Sequence, residues 1–211
     1  MKILRACTVG LLIIATGDID AADRTDRVRS LSYSVAPVYT RLRAEARYFT
    51  PGASAVYSID GLTLDLVAVF TAMEGGPLGT KLRDDLPMTF RSSMSPAEIA
   101  TLHDALVTQP GAVFASFKVG AIEPATLAGV PGFRYQFQLL RKDGLQLSGI
   151  AYGAVVSDRL YLITYAAPAY YFEKNLPMAE GMAKSAKLGR ARRGAAKPEP
   201  QEEQKSEGER D

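Results

Sequence analysis

Apolar residues recur at alternate positions through the middle of the chain, which is the spacing of half-buried β-strands. Two such runs, 54–59 and 62–70, flank Asp60-Gly61, and this dipeptide favours a tight hairpin turn because both turn residues need positive φ. The run 159–166 follows a second turn at Ser157-Asp158 and is apolar on both faces. A strand that is buried on both sides belongs in the centre of a sheet, so we expect 159–166 to lie there.

The segment between these runs predicts two further strands. Residues 133–139 alternate cleanly, and 141–144 form a turn into 145–147. Beyond Leu147 the apolar positions change parity, and Gly149 stands where the change occurs. Because an extra residue in a strand moves the following side chains to the opposite face, we predict a β-bulge at Gly149.

Two helices are predicted from their boundary residues. Ser95-Pro96-Ala97-Glu98 is a capping box with proline in the first turn, and an apolar stripe of helical period follows it. Pro177 is expected to open a second helix, which Gly189 would end as its C-terminal cap. With 71–91 as a long loop, these elements predict an α+β fold, an antiparallel β-sheet flanked by helices. Its chain order is early strands, one crossing helix, a three-stranded meander and a terminal helix.

The first 22 residues have the layout of a secretory signal peptide. Lys2 and Arg5 form a basic start, and the apolar run after them is far shorter than the roughly 20 residues that span a bilayer. We expect cleavage after Gly17 or after Ala21, with an apolar first strand or a short uncleaved anchor as the alternatives. A signal peptide at 1–22 would direct the chain to the periplasm or the medium, and we expect no transmembrane span.

Cys7 is the only cysteine, and it lies before the apolar run. A lipoprotein signal needs the apolar run before the cysteine, so lipidation at Cys7 is not expected. Loss of the signal peptide would leave the mature chain without a thiol, which excludes disulfides and cysteine-based metal sites from it.

The balance of charge does not indicate a nucleic-acid or anionic-membrane partner. The chain has 25 basic and 23 acidic residues, a formal charge of +2 that does not suit nucleic-acid binding. Residues 190–211 begin basic, end acidic and show no apolar period, so we predict a disordered charged tail there. Peripheral contact of this tail with phospholipid or another polyanion is the alternative. A single domain then spans 23–189.

His103 is the only histidine, so a Ser-His-Asp triad would have to use it, and a site with several histidine ligands is excluded. It lies at the border of the apolar stripe of the first helix, where we expect a half-buried, hydrogen-bonded side chain. The segment 75–81 lacks the Gly-Lys-Ser/Thr ending of a phosphate loop. Glu74, Asp84 and Asp85 lack the regular spacing of a calcium site. We expect neither a cofactor nor a metal.

Aromatic residues gather around the end of the last predicted strand, namely Tyr161, Tyr165, Tyr170, Tyr171 and Phe172. Aromatic side chains with a polar tip are frequent at interfaces, although such residues also pack terminal helices against sheets. We interpret Tyr165, Tyr170, Tyr171 and Phe172 as the candidate binding patch. Strand alternation predicts that Phe172 points inward and that Tyr170 or Tyr171 points outward.

The second half of the chain resembles a known fold family. The motifs are Gly132-Phe133-Arg134-Tyr135, Ser148-Gly149, Arg159-Leu160-Tyr161-Leu162-Ile163, Tyr171-Phe172-Glu173 and a last helix ending Lys184-Ser185-Ala186-Lys187-Leu188. This pattern resembles the C-terminal half of the PsbP/DcrB-like proteins. The Asp60-Gly61 hairpin and the Ser95 helix are similar to those of uncharacterised alphaproteobacterial envelope proteins. The resemblance covers about 50–188 and implies an antiparallel sheet between helices and a binding or scaffold role.

Together these patterns predict an exported, non-enzymatic binding or accessory protein of the cell envelope, whose partner is another envelope protein. The alternative is a small hydrolase or lipid-handling enzyme that uses His103. A pocket that joins His103 to a serine and a carboxylate would distinguish the second function from the first.

Overall fold

The computed structural model describes residues 22–42, 48–79 and 89–189, and arranges them in three layers. The strands are β1 Arg24–Val28, β2 Leu31–Val35, β3 Thr40–Leu42, β4 Ala55–Ser58, β5 Leu66–Met73, β6 Phe114–Leu127, β7 Val130–Arg141, β8 Gln146–Val156, β9 Arg159–Ala167 and β10 Lys187–Leu188. The helices are α1 Pro96–Val107 and α2 Ala169–Lys184.

All paired strands are antiparallel and form two sheets. The large sheet has the order β3-β4-β5-β9-β8-β7-β6, and the small sheet has the order β1-β2-β10. Helix α1 packs on one face of the large sheet, while α2 and the small sheet pack on the other. The fold is therefore α+β with helices flanking an antiparallel sheet, as the sequence predicts.

Strand β9 is the fourth of the seven strands, and its neighbours are β5 and β8. Leu160 and Leu162 pack into the core under α1, while Tyr161 and Ile163 pack into the core under α2 and the small sheet. Every residue of β9 after Arg159 is buried. The prediction of a central strand that is apolar on both faces is confirmed.

The β4–β5 hairpin forms as predicted, but its turn does not. The connection runs from 59 to 65, longer than the two-residue turn expected at Asp60-Gly61. The buried Asp65 carboxylate organises it by accepting hydrogen bonds from Ser58 Oγ at 2.8 Å and from the backbone N–H groups of Ile59 and Asp60 at 3.0 and 2.7 Å. The buried Asp65 carboxylate thus closes the hairpin that a tight turn at Asp60-Gly61 was expected to close. Gly61 adopts a φ of 111° inside the wider loop.

Gly149 is not a bulge. It pairs with Phe137 on one side and Ala166 on the other, in ladders that run through β8 without a register shift. The parity change arises because β8 is covered on both faces, so apolar side chains such as Leu147 and Ile150 point in opposite directions. Gly149 instead makes room for the ring of Phe137, since a Cβ there would lie 2.2 Å from the ring.

Strand β6 and the strands before residue 42 were not predicted from the sequence. β6 is the edge strand of the large sheet and is exposed over most of its length. Its pairing with β7 shifts register between Phe114 and Ser116 and again between Val119 and Ile122, and Pro124 lies within it. These irregularities remove the strict alternation by which a strand is recognised in a sequence.

Pro177 lies inside α2 and does not open it, because the helix begins at Ala169, after Pro168. Both Pro177 and Glu173, whose carbonyl a residue at position 177 would normally bond, are exposed, so solvent can satisfy that carbonyl. The helix ends at Lys184, and Gly189 is not its cap. Instead β10 pairs with β2, and Gly189 donates its N–H to the carbonyl of Ser30.

The 71–91 segment is only partly a loop, because β5 continues through Met73. Pro77 and Thr89 form an isolated bridge, and Phe90 hydrogen-bonds with Gly75 and Gly76. The intervening residues 80–88 lie outside the described residues. This arrangement buries Leu78 and Phe90 in the core under α1.

We predict that Gly149→Ala lowers the free energy of unfolding by about 1–3 kcal/mol, because the added methyl group overpacks the Phe137 ring. The matched control is Gly181→Ala in α2, where a Cβ meets nothing within 4 Å. That change should be neutral or stabilising by about 0.5–1 kcal/mol through helix propensity. Urea denaturation of both variants measures the difference, and equal effects would contradict this account of Gly149.

Candidate functional site

The aromatic patch predicted from the sequence divides into a buried and an exposed part. Tyr165 is 2% exposed and stacks on Phe172, with ring centroids 5.4 Å apart. Its hydroxyl donates a hydrogen bond to the backbone carbonyl of Tyr171 at 2.7 Å, and burial raises the pKa of this phenol. Tyr161 is also buried, with its hydroxyl hydrogen-bonded to that of Ser30. Tyr165 and Phe172 therefore form a platform that holds the first turn of α2 on the sheet.

Tyr170 is the exposed member of the patch, with 73% of its surface accessible. Its ring meets that of Tyr171 edge to face at 5.3 Å, and Lys174 Nζ lies 5.6 Å from the Tyr171 ring centroid. These residues belong to the first turns of a helix, so the strand alternation used to predict their directions does not apply. Phe172 nevertheless packs inward and Tyr170 points outward.

A polar anchor connects α2 to the β4–β5 connection. The Asp60 carboxylate accepts hydrogen bonds from Asn175 Nδ2 at 2.9 Å and Lys174 Nζ at 3.1 Å. Asn175 is fully buried. The bonds from Asn175 and Lys174 lower the pKa of Asp60. Asp65 shapes this connection, and Asp60 reaches the helix from it. The two carboxylates therefore help to position the first turns of α2, which carry Tyr170.

A polar groove lies beside the first turn of α2, on the face of β6, β7 and β8 that the helix leaves uncovered. It consists of two adjoining hollows of about 260 and 370 Å³ that share Lys118, Gln138 and Ser148. Ala169 and Phe172 form its wall on the helix side. We call the two hollows together the polar groove. Its polar lining is Ser116, Lys118, Gln136, Gln138, Gln146 and Ser148.

Sequence reasoning missed this groove, although a signal for half of it was present. Gln136 and Gln138 occupy the polar positions of the alternating run 133–139, and Gln146 and Ser148 occupy those of β8. Their side chains therefore share one face of two neighbouring strands. Lys118 could not be placed with them, because it belongs to β6, the strand that the sequence did not reveal.

The adjoining part of the same sheet face is paired internally. Arg134 donates two hydrogen bonds to Glu123, at 2.8 and 2.6 Å. The Tyr152 hydroxyl donates to Glu180 at 3.1 Å, and Lys184 donates to the other oxygen of Glu180 at 2.9 Å. The bond from Lys184 is the main reason why the pKa of Glu180 is lowered. This row connects the sheet to α2 and leaves little for an external ligand to bind.

His103 is buried rather than half-buried, with 3% of its surface exposed. Its Nδ1 and the Tyr135 hydroxyl are hydrogen-bonded at 2.9 Å, and the rings of Phe70, Phe117 and Phe137 surround it at centroid distances of 5.7, 5.0 and 5.5 Å. In the described part of the chain, neither a serine hydroxyl nor a carboxylate is hydrogen-bonded to His103. Burial lowers its pKa to about 3. Because it is enclosed and neutral, His103 is placed to pack the core and not to accept a proton from a substrate.

Two other sequence candidates lie wholly or partly beyond what the structure describes. Asp84 and Asp85 are outside the described residues, as is the end of the segment 75–81. Glu74 is described, and its carboxylate accepts a hydrogen bond from the backbone N–H of Ser92. Among the described residues, no three or more His, Cys, Asp or Glu side chains are arranged to hold a metal ion. No helix in the described ranges is long and apolar enough to cross a membrane.

We predict that His103 makes the stability of the protein fall with decreasing pH. Its pKa of about 3 in the folded state lies below the 6.5 of an unperturbed histidine, so between these values the unfolded chain binds the extra proton. The stabilising contribution is thus complete above about pH 6.5 and declines at about 1.4 kcal/mol per pH unit below it.

Urea denaturation of wild type and His103→Phe between pH 7 and pH 4 tests this dependence. Subtracting the two curves cancels the carboxylates that both proteins share. The free energy of unfolding of the wild type should decrease with falling pH more steeply than that of the variant. Parallel curves would show that His103 titrates normally and is therefore accessible to solvent.

Comparison with known proteins shows the fold alone. No family model matches the chain, and no curated protein matches its sequence. The solution structure of cyanobacterial PsbP (CyanoP) from Synechocystis sp. PCC 6803 superposes with a TM-score of 0.55 at 10% identity, over 79% of this chain and 91% of that one.

Two further solved structures are similar with lower scores. LpqN, described as involved in cell envelope biogenesis of Mycobacterium tuberculosis, gives a TM-score of 0.48 at 9% identity, over 75% of this chain and 83% of that one. A mutant of the protein Mog1 gives 0.45 at 12% identity, over 79% of this chain and 96% of that one. At these identities the likeness concerns the backbone alone. The chain has a PsbP-like α+β fold, in agreement with the resemblance seen in its sequence.

Proposed function

We propose that this chain is an exported, non-enzymatic accessory protein of the bacterial cell envelope that binds another envelope protein through the exposed face of α2. The proposal rests chiefly on Tyr170, which is 73% exposed on a helix turn held by the stacked rings of buried Tyr165 and partly buried Phe172. A large aromatic side chain displayed on a rigid support loses little entropy on binding, and tyrosine is enriched among the residues that dominate binding energy.

The surroundings of Tyr170 favour a protein partner. Tyr171 lies beside it, and Lys174 of the same helix forms an ion pair at 3.1 Å with Asp60 of the β4–β5 connection. An aromatic centre with charged groups near its border resembles the core and rim of a protein interface. The patch is small, which suits an accessory contact better than an obligate one.

Two further observations support the remaining parts of the proposal. The basic start and short apolar run of residues 1–22 are typical of a secretory signal peptide. The only histidine of the chain is enclosed by aromatic rings with Tyr135 as its hydrogen-bond partner, which argues against the hydrolase alternative because that alternative depends on His103.

We expect the protein isolated from cells to begin at Asp18 or Ala22 and to fractionate outside the cytoplasm. N-terminal sequencing and fractionation against a cytoplasmic marker measure both properties. A chain that retains Met1 and stays with the cytoplasmic marker would contradict export, whatever the outcome of the binding experiment.

We predict that a photo-crosslinking amino acid at position 170 captures one envelope protein in living cells. The same substitution at Met73, which is 50% exposed at the end of β5, serves as the matched control and should not give that product. Tyr170→Ala should abolish co-purification of the captured protein and change the free energy of unfolding by no more than about 0.5 kcal/mol.

Phe172→Ala separates recognition from packing at the same helix turn. Because Phe172 is partly buried against Tyr165, its truncation should cost about 2 kcal/mol, somewhat less than for a fully buried phenylalanine. If co-purification of the captured protein is lost only in variants that unfold, and Tyr170→Ala retains it in full, α2 does not form the interface.

A further inference from the structure

The polar groove differs from the rest of its sheet face because its side chains have no partners within the protein. In the described residues, the three glutamine amides, the two serine hydroxyls and the Lys118 ammonium of this groove make no hydrogen bond or ion pair through their side chains. The adjoining row around Arg134 and Glu180, on the same face, is fully paired. The groove therefore presents free donors and acceptors side by side.

The strand register orders these groups in rows. Lys118 lies opposite Gln138 on β7, and Gln138 lies opposite Ser148 on β8. Ser116 and Gln146 flank Leu140 in the next row. Neighbouring strands are about 4.8 Å apart, so the polar groups repeat at roughly that interval across the groove. Each glutamine amide offers both a carbonyl acceptor and an NH₂ donor, which suits a ligand whose own groups donate and accept at once.

The groove has one apolar wall and one charge. Phe172 forms part of the wall beside Gln136, Gln138 and Ser148. Lys118 is exposed and is the only charged side chain in the lining. A ligand that fits this set carries many hydroxyl groups, has an apolar C–H face that can lie against an aromatic ring, and bears a carboxylate for the ammonium. We propose that the polar groove binds an acidic oligosaccharide, a chain of pyranose units bearing carboxylates.

An extended peptide fits the groove less well. A peptide that binds a sheet gains most of its affinity by pairing with an exposed edge strand, and takes its specificity from pockets for alternate side chains. Edge strand β6 is interrupted by two register shifts and by Pro124, which hinders strand addition. The groove is also shallow, and its floor combines glutamine amides and serine hydroxyls with the side chain of Leu140.

The test is a titration of the full chain, labelled with ¹⁵N, with oligogalacturonate as the acidic probe. The side-chain amide signals of Gln136, Gln138 and Gln146 should shift in a saturable way. Gln138→Ala should weaken binding roughly tenfold, by removing hydrogen bonds to the ligand. Lys118→Gln should weaken it about fivefold at low salt and reduce its salt dependence. Lys187→Gln, an equal charge change at an exposed site on β10, is the matched control and should have no effect.

Three results would overturn the proposal: no saturable shift with oligogalacturonate, equal binding of the neutral probe maltohexaose, or preferential binding of hexaglutamate, which would assign the groove to acidic peptides. Tyr170→Ala should bind oligogalacturonate like the wild type, because Tyr170 does not line the groove. Failure of this proposal therefore leaves the proposed protein partner of α2 untouched, and the reverse holds as well.

Discussion

Burial of the large sheet on both faces is the constraint from which the rest of the architecture follows. Along β5, Ala68 and Phe70 enter one core while Val67 and Val69 enter the other, and β9 is divided in the same way. Two layers of cover are then required, because either apolar face left in water would forfeit about 25 cal/mol per Å² of stabilisation. Helix α1 supplies one layer, and α2 with the small sheet supplies the other. The strands at the margins of the sheet, which do not share this double burial, tolerate polar residues and irregular pairing.

The position of α2 is set by a polar anchor as well as by its apolar face. Asp65 is 1% exposed, and its hydrogen bonds shape the β4–β5 connection so that Asp60 meets Lys174 and the buried Asn175. Apolar packing holds the helix against the sheet, and the directional bonds near its first turns add a constraint on its register along the axis. The same turns carry the rings that display Tyr170. The β4–β5 connection, at one end of the strands, thus helps to orient the surface on which the proposed function depends.

On the face covered by α2 and the small sheet, the large sheet is wider than its cover. The uncovered part, on β6, β7 and β8, has two different surfaces. One part is closed by its own charges, with Arg134 bonded to Glu123 and Tyr152 linked through Glu180 to α2. The other part, the polar groove, keeps its amides and hydroxyls free of internal partners. Adjacent positions on one sheet face therefore serve cohesion in one case and, in our proposal, recognition in the other. The bulged edge strand β6 protects this half of the sheet from strand addition.

The sequence by itself determined the α+β class, the central place of β9, the β4–β5 hairpin and the start of α1, because each rests on a local period or a local cap. Only the tertiary structure decided the features that depend on distant partners. Gly149 lies in an unbroken ladder because the Phe137 ring occupies its space, and Pro177 is tolerated in a helix that packing extends back to Ala169. The division of the aromatic patch and the assembly of the polar groove from three strands follow likewise from contacts between residues far apart in the chain. No local pattern encodes such contacts, since they depend on how the layers stack.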